Sequence, residues 1–301
     1  MTKISVIIPT HNRKETLKKC LSRLGDQTCG RSDREVIVID DGSTDGTEDV
    51  VRTEMKDAVI ALRYFRQNKR GPAAARNVGI GEAKGEIVLF LGDDIMAAPT
   101  LLEEHLSWHE RYSDDNVAVL GLIKWSPETK ITPFMKWLED GGPQFAFWEI
   151  ENKTDVDAMR YFYSSNVSIK KKFLLENKAF FDEDFPYAAY EDAELAFRLK
   201  AAGMAVKYNK DAVGYHYHYT SLDDACRRMV RVGYSRRLLA KKTGEMIIRH
   251  PKRGISRMMS ALKFAFFYIL ARFYEKRAVK KHLFAYVLEH HYHKGFDSYQ
   301  G

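Results

Sequence analysis

The stretch Glu86-Ile87-Val88-Leu89-Phe90-Leu91-Gly92-Asp93-Asp94 decides how this 301-residue chain is read. Its five consecutive apolar residues leave no polar side to alternate, which suits a strand covered on both faces. The run stops at two adjacent carboxylates, so the acids sit at the strand's C-terminal end, where open α/β sheets hold their ligands. Neighbouring carboxylates repel each other, and a hard divalent cation makes both tolerable at neutral pH. Asp93 and Asp94 therefore read as a metal-diphosphate site. The alternative is that they cap the next segment or open a turn, as Asp commonly does.

Upstream, Ile4 to Thr10 reads as a first strand closed by Pro9, followed by the loop Thr10-His11-Asn12-Arg13. Leu17, Cys20, Leu21 and Leu24 then recur at helical spacing and predict a helix from Lys14 to Gly25. A second strand, Glu35 to Ile39, ends on another acid pair, Asp40-Asp41. Gly42 suits a tight turn there, and Ser43, Thr44 and Asp45 are competent N-caps for a helix over 48–54. A third strand is expected over 59–65, then a polar loop from Arg66 to Pro72 and a small-residue helix from Ala73. Strands alternating with helices describe a doubly wound, mostly parallel α/β sheet. Two strands ending in acid pairs at one sheet edge would bring four carboxylates to a shared crevice. The first unit lacks GxGxxG, and no P-loop lysine motif occurs, which weakens a dinucleotide or P-loop reading.

Composition fits a globular chain, with 45% hydrophobic and 30% charged residues. Cys20, Cys29 and Cys226 are odd in number and have no CxxC spacing, so reduced thiols are expected rather than a disulfide framework or zinc site. The apolar run Ile4 to Ile8 is too short for a signal peptide, and a cytoplasmic location follows as the expectation. The net charge of +7 is uneven. From Ser221 onward there are 18 Lys and Arg against 6 Asp and Glu, a net of +12, whereas the upstream chain has 30 against 35. A basic C-terminal extension on a neutral-to-acidic body points to an anionic surface or lipid headgroup as its partner.

The motifs Ser5-Val6-Ile7-Ile8-Pro9-Thr10-His11-Asn12-Arg13, Val38-Ile39-Asp40-Asp41-Gly42-Ser43-Thr44-Asp45, Ala75-Arg76-Asn77-Val78-Gly79 and Phe90-Leu91-Gly92-Asp93-Asp94 with Pro99 closely resemble the family 2 glycosyltransferases. They fill the first hundred residues in the family's order and spacing. The resemblance implies a GT-A (Rossmann-like) fold, a nucleotide-sugar donor with a UDP-sugar expected, a divalent Mn²⁺ or Mg²⁺, and inversion at the anomeric carbon. It makes Pro9, Thr10, Asn12, Asp40 and Asp41 nucleotide contacts, with capping of the turn as the alternative for Asp40. A carboxylate suits the imide N–H of uracil or the N–H groups of guanine. Arg76 would lie against the nucleotide and diphosphate, Asp93 against ribose or metal-bound water, and Asp94 on the metal. Many family members carry an acid where this chain has Gly92, so the site is Gly-Asp-Asp instead of three consecutive acids.

A GT-A domain is expected over 1–220, with a nucleotide-binding half over 1–100 and an acceptor half over 101–220. In the latter, 101–112 has amphipathic helical spacing, 117–123 reads as a strand, and 125–161 is rich in aromatics, among them Trp125, Phe134, Trp137, Phe145, Phe147 and Trp148. These suit either an acceptor surface or plain core. Tyr190-Glu191-Asp192 resembles the family's Glu-Asp motif opening a helix; this implies Asp192 as the general base and Glu191 as an orienting acid, against a purely structural capping role. His216 and His218, after a strand expected from Ala205 to Tyr208 and a further piece from Asp211 to Gly214, are candidates to complete a metal shell begun by Asp94, the alternative being two histidines on an exposed strand.

The extension over 221–301 has helical spacing from Leu222 to Leu239, basic clusters near 241–257, and an apolar run from Met258 to Ala271 that is interrupted by Lys263. That run is too short to span a bilayer. It suits an interfacial helix peripheral to the inner face of the plasma membrane, serving a lipid-linked or glycan acceptor, or else a helical hairpin or homodimer contact. Two rival functions fit the sequence less well. A nucleotidyltransferase should show a Gly-rich basic loop, which Pro9-Thr10-His11-Asn12 does not provide. A non-catalytic nucleotide-sugar-binding module would not need Asp192 beside Asp94. The basic charge is unaccompanied by any nucleic-acid recognition motif, so no nucleic-acid partner is expected.

Overall fold

The structure, a computed structural model, describes residues 2–56, 61–244 and 257–300, with the side chains of 56 and 257–261 outside the description. The start of the expected third strand at 59–60, most of the basic cluster after Arg249 and the side chains of Met258 to Ala261 lie outside the described residues. The chain forms two compact units, Met1–Glu128 with Glu149–His218, and Thr129–Trp148 with Tyr219–Gly301.

In the first unit the buried apolar runs become parallel strands β1 (Ile4–Thr10), β2 (Arg34–Asp40) and β4 (Ile87–Leu91), and the half-buried β3 (Leu62–Arg66) pairs parallel to β2. All five residues of β4 are buried, as its unbroken hydrophobicity requires. β1 has the expected limits, with Pro9 inside it, and β3 ends one residue later than expected. Helices α1 (Lys14–Gly25), α2 (Thr47–Lys56), α3 (Pro72–Glu82) and α4 (Leu101–Arg111) follow in their expected places, with Leu17, Cys20, Leu21 and Leu24 buried on α1.

The sheet then departs from simple winding. Among the described residues it has nine strands, including the short β5 (Ile95–Ala97) and β7 (Asp155–Val156) and the strands β6 (Val117–Trp125), β8 (Asn166–Lys170) and β9 (Ala205–His216), in the order β3-β2-β1-β4-β8-β6-β9-β5, with β7 pairing β9. Strand β8 (Asn166–Lys170) inserts antiparallel between β4 and β6 (Val117–Trp125). Parallel to β6 runs β9 (Ala205–His216), a single strand where two shorter pieces were expected. Helix α4 satisfies the polar residues of β8 in the core: His105 meets both Ser168 Oγ, 2.8 Å from Nδ1, and Asn166 Oδ1, 3.0 Å from Nε2. His109 Nε2 lies 2.9 Å from the same Ser168 hydroxyl. Burial pushes His105 down to about 4 and His109 to about 3, so both work as neutral hydrogen-bonding groups.

Three further helices complete this unit: α6 (Ala158–Tyr161), α7 (Lys171–Glu176) and α8 (Glu191–Ala201). The second unit comprises α5 (Pro133–Glu139), α9 (Leu222–Thr243), α10 (Arg257–Tyr274) and α11 (Lys281–Ser298). Residues 129–148 belong here because Phe134 and Trp137 pack on Phe284, with ring centroids 5.0 and 5.5 Å apart. These two aromatics are core rather than acceptor surface, as are Trp125 and Phe147, while Trp148 is exposed. Helices α9 and α11 touch backbone to backbone at Gly233 and Gly295, where an added Cβ would lie 2.0 Å from Tyr292 O and 1.8 Å from Val230 O.

A comparable contact sets α3 on β1. A Cβ at Gly79 would come within 2.3 Å of Ile7 Cγ2 on a fully buried strand. Gly79→Ala is therefore expected to cost about 1–3 kcal/mol of stability, read as a lower midpoint in urea unfolding. An unchanged midpoint would mean that α3 has room to lift off the sheet.

Candidate active site

Because β1, β2 and β4 run parallel, their C-terminal residues Thr10, Asp40 and Leu91 share one edge of the sheet. β8 starts opposite Leu91, which brings the turn before it, Ser164-Ser165, to that edge. Through the β8–β6 and β6–β9 pairings the end of β9, His216, arrives there too.

Asp93 and Asp94 stand at this edge with a ready-made counter-charge. Arg13 Nη1 donates to Asp93 Oδ1 at 3.0 Å and to Asp94 Oδ2 at 2.5 Å. Thr10 Oγ1 donates to Asp93 Oδ2 at 2.8 Å, and His216 Nε2 lies 3.2 Å from Asp94 Oδ2. The two acids are driven apart. Burial and the neighbouring charge of Asp94 push Asp93 up, against the pull of Arg13. Burial also works to raise Asp94, but the His216 ring and the Arg13 guanidinium outweigh it and hold that carboxyl well below the usual range. Gly92 fits the crowding here, since a Cβ would sit 3.0 Å from Asp94 Oδ1 and 3.1 Å from Ile95 Cγ1. Beneath the pair, Cys20 Sγ faces the carbonyls of Ile95 and Gly92, and burial with both carboxylates pushes its thiol far up. It is an inert thiol.

His216 is stacked between Trp125 and His218, with ring centroids 5.2 and 5.6 Å apart. The structure thus brings His216 directly onto Asp94 and places His218 against the His216 ring. Among the described residues, no three His, Cys, Asp or Glu side chains converge as a metal cluster. The donor set still suits a hard divalent ion, since one carboxylate oxygen and one imidazole nitrogen already lie together beside a second carboxylate.

The expected nucleotide contacts divide into two kinds. Asp40 is 1% exposed and turned inward, where Oδ1 accepts from Ser43 N and Oδ2 from the Tyr64 hydroxyl, each at 2.7 Å. These contacts match the turn-capping alternative for Asp40. Pro9 lies within β1, paired with Ile39. Asn12, in the left-handed region at φ 53°, ties the first loop to the second: its N–H donates to Ser43 Oγ at 2.9 Å and its Oδ1 accepts from Thr44 N at 2.8 Å. Asp41 accepts from Gln67 Nε2 and Arg70 N at 2.7 Å on Oδ1 and from Gly71 N at 2.8 Å on Oδ2, so it orders the 67–71 loop and keeps one acceptor direction on Oδ2.

A second acid pair opens α8. Tyr190 precedes it at φ 67°, a strained conformation for a bulky side chain. Glu191 is 2% exposed and its Oε1 accepts from Arg76 Nη1 at 2.9 Å. Arg76 is equally enclosed, its guanidinium over the Phe181 ring at 5.2 Å, so it sits on Glu191 rather than on the helix surface. Burial, then the charge of Asp192, pushes Glu191 up to about 7 against the pull of Arg76. Asp192 is less enclosed; its Oδ1 accepts from Ala193 N at 2.8 Å and its Oδ2 from Ser164 N at 3.4 Å, and burial raises it while Arg76 opposes. The carbonyl of Ser165, next to Ser164, accepts from Gly92 N at 3.2 Å. The turn carrying Asp93-Asp94 and the turn holding Asp192 are therefore hydrogen-bonded neighbours.

Sequence reasoning did not single out Arg13 or Ser164. Arg13 stood in view beside Asn12, but any cation satisfies an acid pair, and only coordinates distinguish a guanidinium from an ion. Ser164 acts through its backbone N–H, which leaves no side-chain signature.

Glu191 binds its proton more tightly folded than unfolded, so its contribution to stability falls as pH rises from about 4.5 to about 7. Glu191→Gln should flatten the pH dependence of stability across that window, by an amount on the order of 2–3 kcal/mol, on top of a constant loss from leaving Arg76 without its carboxylate. Parallel urea-unfolding curves for parent and variant at each pH would show that Glu191 does not titrate there.

The description of Glycosyl transferase family 2 matches residues 5–190. The glycosyltransferase YfnE of Bacillus subtilis, itself uncharacterized, is 29% identical over 262 residues, covering 73% of this chain and 66% of its own. The poly(ribitol-phosphate) β-N-acetylglucosaminyltransferase TarS of Staphylococcus aureus is 31% identical over 221 residues, covering 72% of this chain and 35% of its own. The chain thus spans less than two thirds of these curated relatives. A solved TarS fragment in complex with UDP superposes with a TM-score of 0.58 at 20% identity, covering 99% of this chain and 89% of that one. The mannosyltransferase PcManGT of Pyrobaculum calidifontis, solved with GDP-Man and Mn²⁺, superposes with a TM-score of 0.66 at 18% identity, covering 97% and 85%. With its curled α/β sheet, its acid pairs gathered at one edge and a match over more than half its length, the chain belongs to glycosyl transferase family 2.

Proposed function

We propose that this chain is an inverting glycosyltransferase that moves a sugar from a nucleoside-diphosphate donor, a UDP-sugar, to the hydroxyl of a glycan or lipid-linked acceptor. The observation that carries the reading is the pairing of two differently tuned acids on hydrogen-bonded turns: Asp94, held ionised by His216 and Arg13, and Asp192, raised by burial. The UDP bound by TarS supports the choice of base, and the family supports the class of reaction.

In this reading Thr10, Asn12 and Asp41, within residues 1–100, shape the nucleotide half, and residues 101–220 supply the acceptor half. Asp41 Oδ2 offers its remaining acceptor direction to an N–H of the base. The acceptor oxygen bonds to the anomeric carbon as that carbon's bond to the diphosphate oxygen breaks, and the hydroxyl proton passes to Asp192. Attack from the face opposite the diphosphate inverts the configuration. Asp192 suits the base better than Glu191, because Glu191 is sealed against Arg76 while Asp192 holds only backbone N–H groups at its oxygens. A raised carboxyl accepts a proton more readily near neutral pH. Glu191 and Arg76 together position that acid.

Asp94 and His216 would hold a divalent ion, Mn²⁺ or Mg²⁺, with Asp93 beside it and the rest of the shell coming from donor oxygens and water. When bound, such an ion neutralises charge developing on the leaving diphosphate. Stacked on His216, His218 sets the orientation of the ligand ring. Arg13 offers the diphosphate a guanidinium from the same edge.

Asp192→Asn should leave donor binding intact while lowering transfer at least 10²-fold, measured as sugar release into product with a synthetic acceptor. Equal loss of donor binding would make Asp192 a structural acid. Among UDP-, GDP- and dTDP-sugars, the true donor at about 100 times its Kd should add about 2.7 kcal/mol to stability by mass action, seen as a higher melting temperature. Removing Mn²⁺ with EDTA should shrink that shift, and an EDTA-insensitive shift would exclude ion-assisted donor binding.

A further inference from the structure

Helix α10 has two apolar sides, and among the described residues only one is packed. Its inner side stacks Phe264 on His290 with centroids 3.9 Å apart, sets Phe267 against Tyr286 at 5.1 Å and buries Ala271 completely. Its outer side presents Leu262 at 67% exposure, Phe266 at 62%, Ile269 at 69% and Phe273 at 50%. At 100° per residue these four fall within about 60° of the helix circumference and extend about 16 Å along it. Scattered exposed apolar residues are ordinary, whereas a straight line of four large ones is a contact surface.

The charges around the line choose its partner. Between Arg257 and Lys281 the chain carries seven Lys and Arg and a single acid, Glu275, which is 4% exposed. Lys263, Lys276, Arg277, Lys280 and Lys281 are exposed, while Arg272, also exposed, is paired with Asp223 of α9 at 2.5 Å. Among the described residues no helix is long and apolar enough to cross a membrane. A second copy would bring the same positive charge to the same place, and the line is a ridge rather than a groove for a peptide. We propose that the outer side of α10 lies on an anionic lipid surface, with Leu262, Phe266, Ile269 and Phe273 entering the headgroup boundary and the surrounding Lys and Arg meeting the lipid charges. This deepens the transferase reading, on which it rests only for its purpose: holding the enzyme at a surface that carries lipid-linked acceptors.

The test is co-sedimentation of the full chain with vesicles of phosphatidylcholine alone and of phosphatidylcholine with phosphatidylglycerol. The chain should bind the anionic vesicles, at least 10-fold more weakly at high salt, and leave neutral ones. Phe266→Glu with Ile269→Glu should weaken binding to anionic vesicles at least 10-fold while the melting-temperature shift with the nucleotide-sugar donor is unchanged, which shows a folded chain. No binding to anionic vesicles, equal binding by the double variant, or a dimer in light scattering that the double variant breaks would each overturn the proposal. Vesicle binding without any transfer activity would overturn the transferase reading alone. Transfer to a soluble acceptor without vesicle binding would overturn the lipid surface alone.

Discussion

Two carboxylates on consecutive residues, at the tip of a strand with no exposed face, are the constraint around which the site is arranged. Asp93 and Asp94 cannot both carry charge there without help. Arg13, Thr10 and His216 supply it from the ends of β1 and β9 and the loop after β1. Each helper requires its own strand to end at the same level, so the acid pair fixes the registration of elements far apart in the chain. The result is one carboxylate kept ionised beside another whose proton is held more tightly, a division that a single environment would not produce.

The same logic extends across β8. Inserting an antiparallel strand with Asn166 and Ser168 into the sheet costs desolvation unless those groups are bonded, and His105 and His109 from α4 meet them. The insertion in turn places Ser164 and Ser165 beside Gly92 and Asp192. Polar groups in the core thus set where the second acid pair stands relative to the first. Asn12 and Tyr190, two of the four described non-glycine residues in left-handed conformations, flank the two clusters.

Much of the first unit was legible because its signals are local. Unbroken apolar runs marked β1, β2 and β4, and the spacing of Leu17, Cys20, Leu21 and Leu24 gave α1 its observed limits, Lys14–Gly25. The candidate site was legible as a set of acids, but not as a set of contacts. Asp40 and Asp41 look alike in sequence, yet one points into Tyr64 and Ser43 while the other ties down a loop. Arg76 was read as a ligand-facing donor, and its bond to Glu191 links residues separated by more than a hundred positions. The antiparallel place of β8 and the grouping of Phe134 and Trp137 with Phe284 are equally non-local, and no spacing rule reports them.

In the proposed function, an ion and a donor diphosphate meet at the edge carrying Asp93, Asp94 and His216. The most direct measurement is anomalous diffraction at the manganese edge from crystals grown with Mn²⁺ and a nucleotide-sugar. The account predicts a single strong peak in contact with Asp94 and His216, with Arg13 turned off the acid pair. A fully bound nucleotide with no peak there, and Arg13 still on both carboxylates, would contradict it.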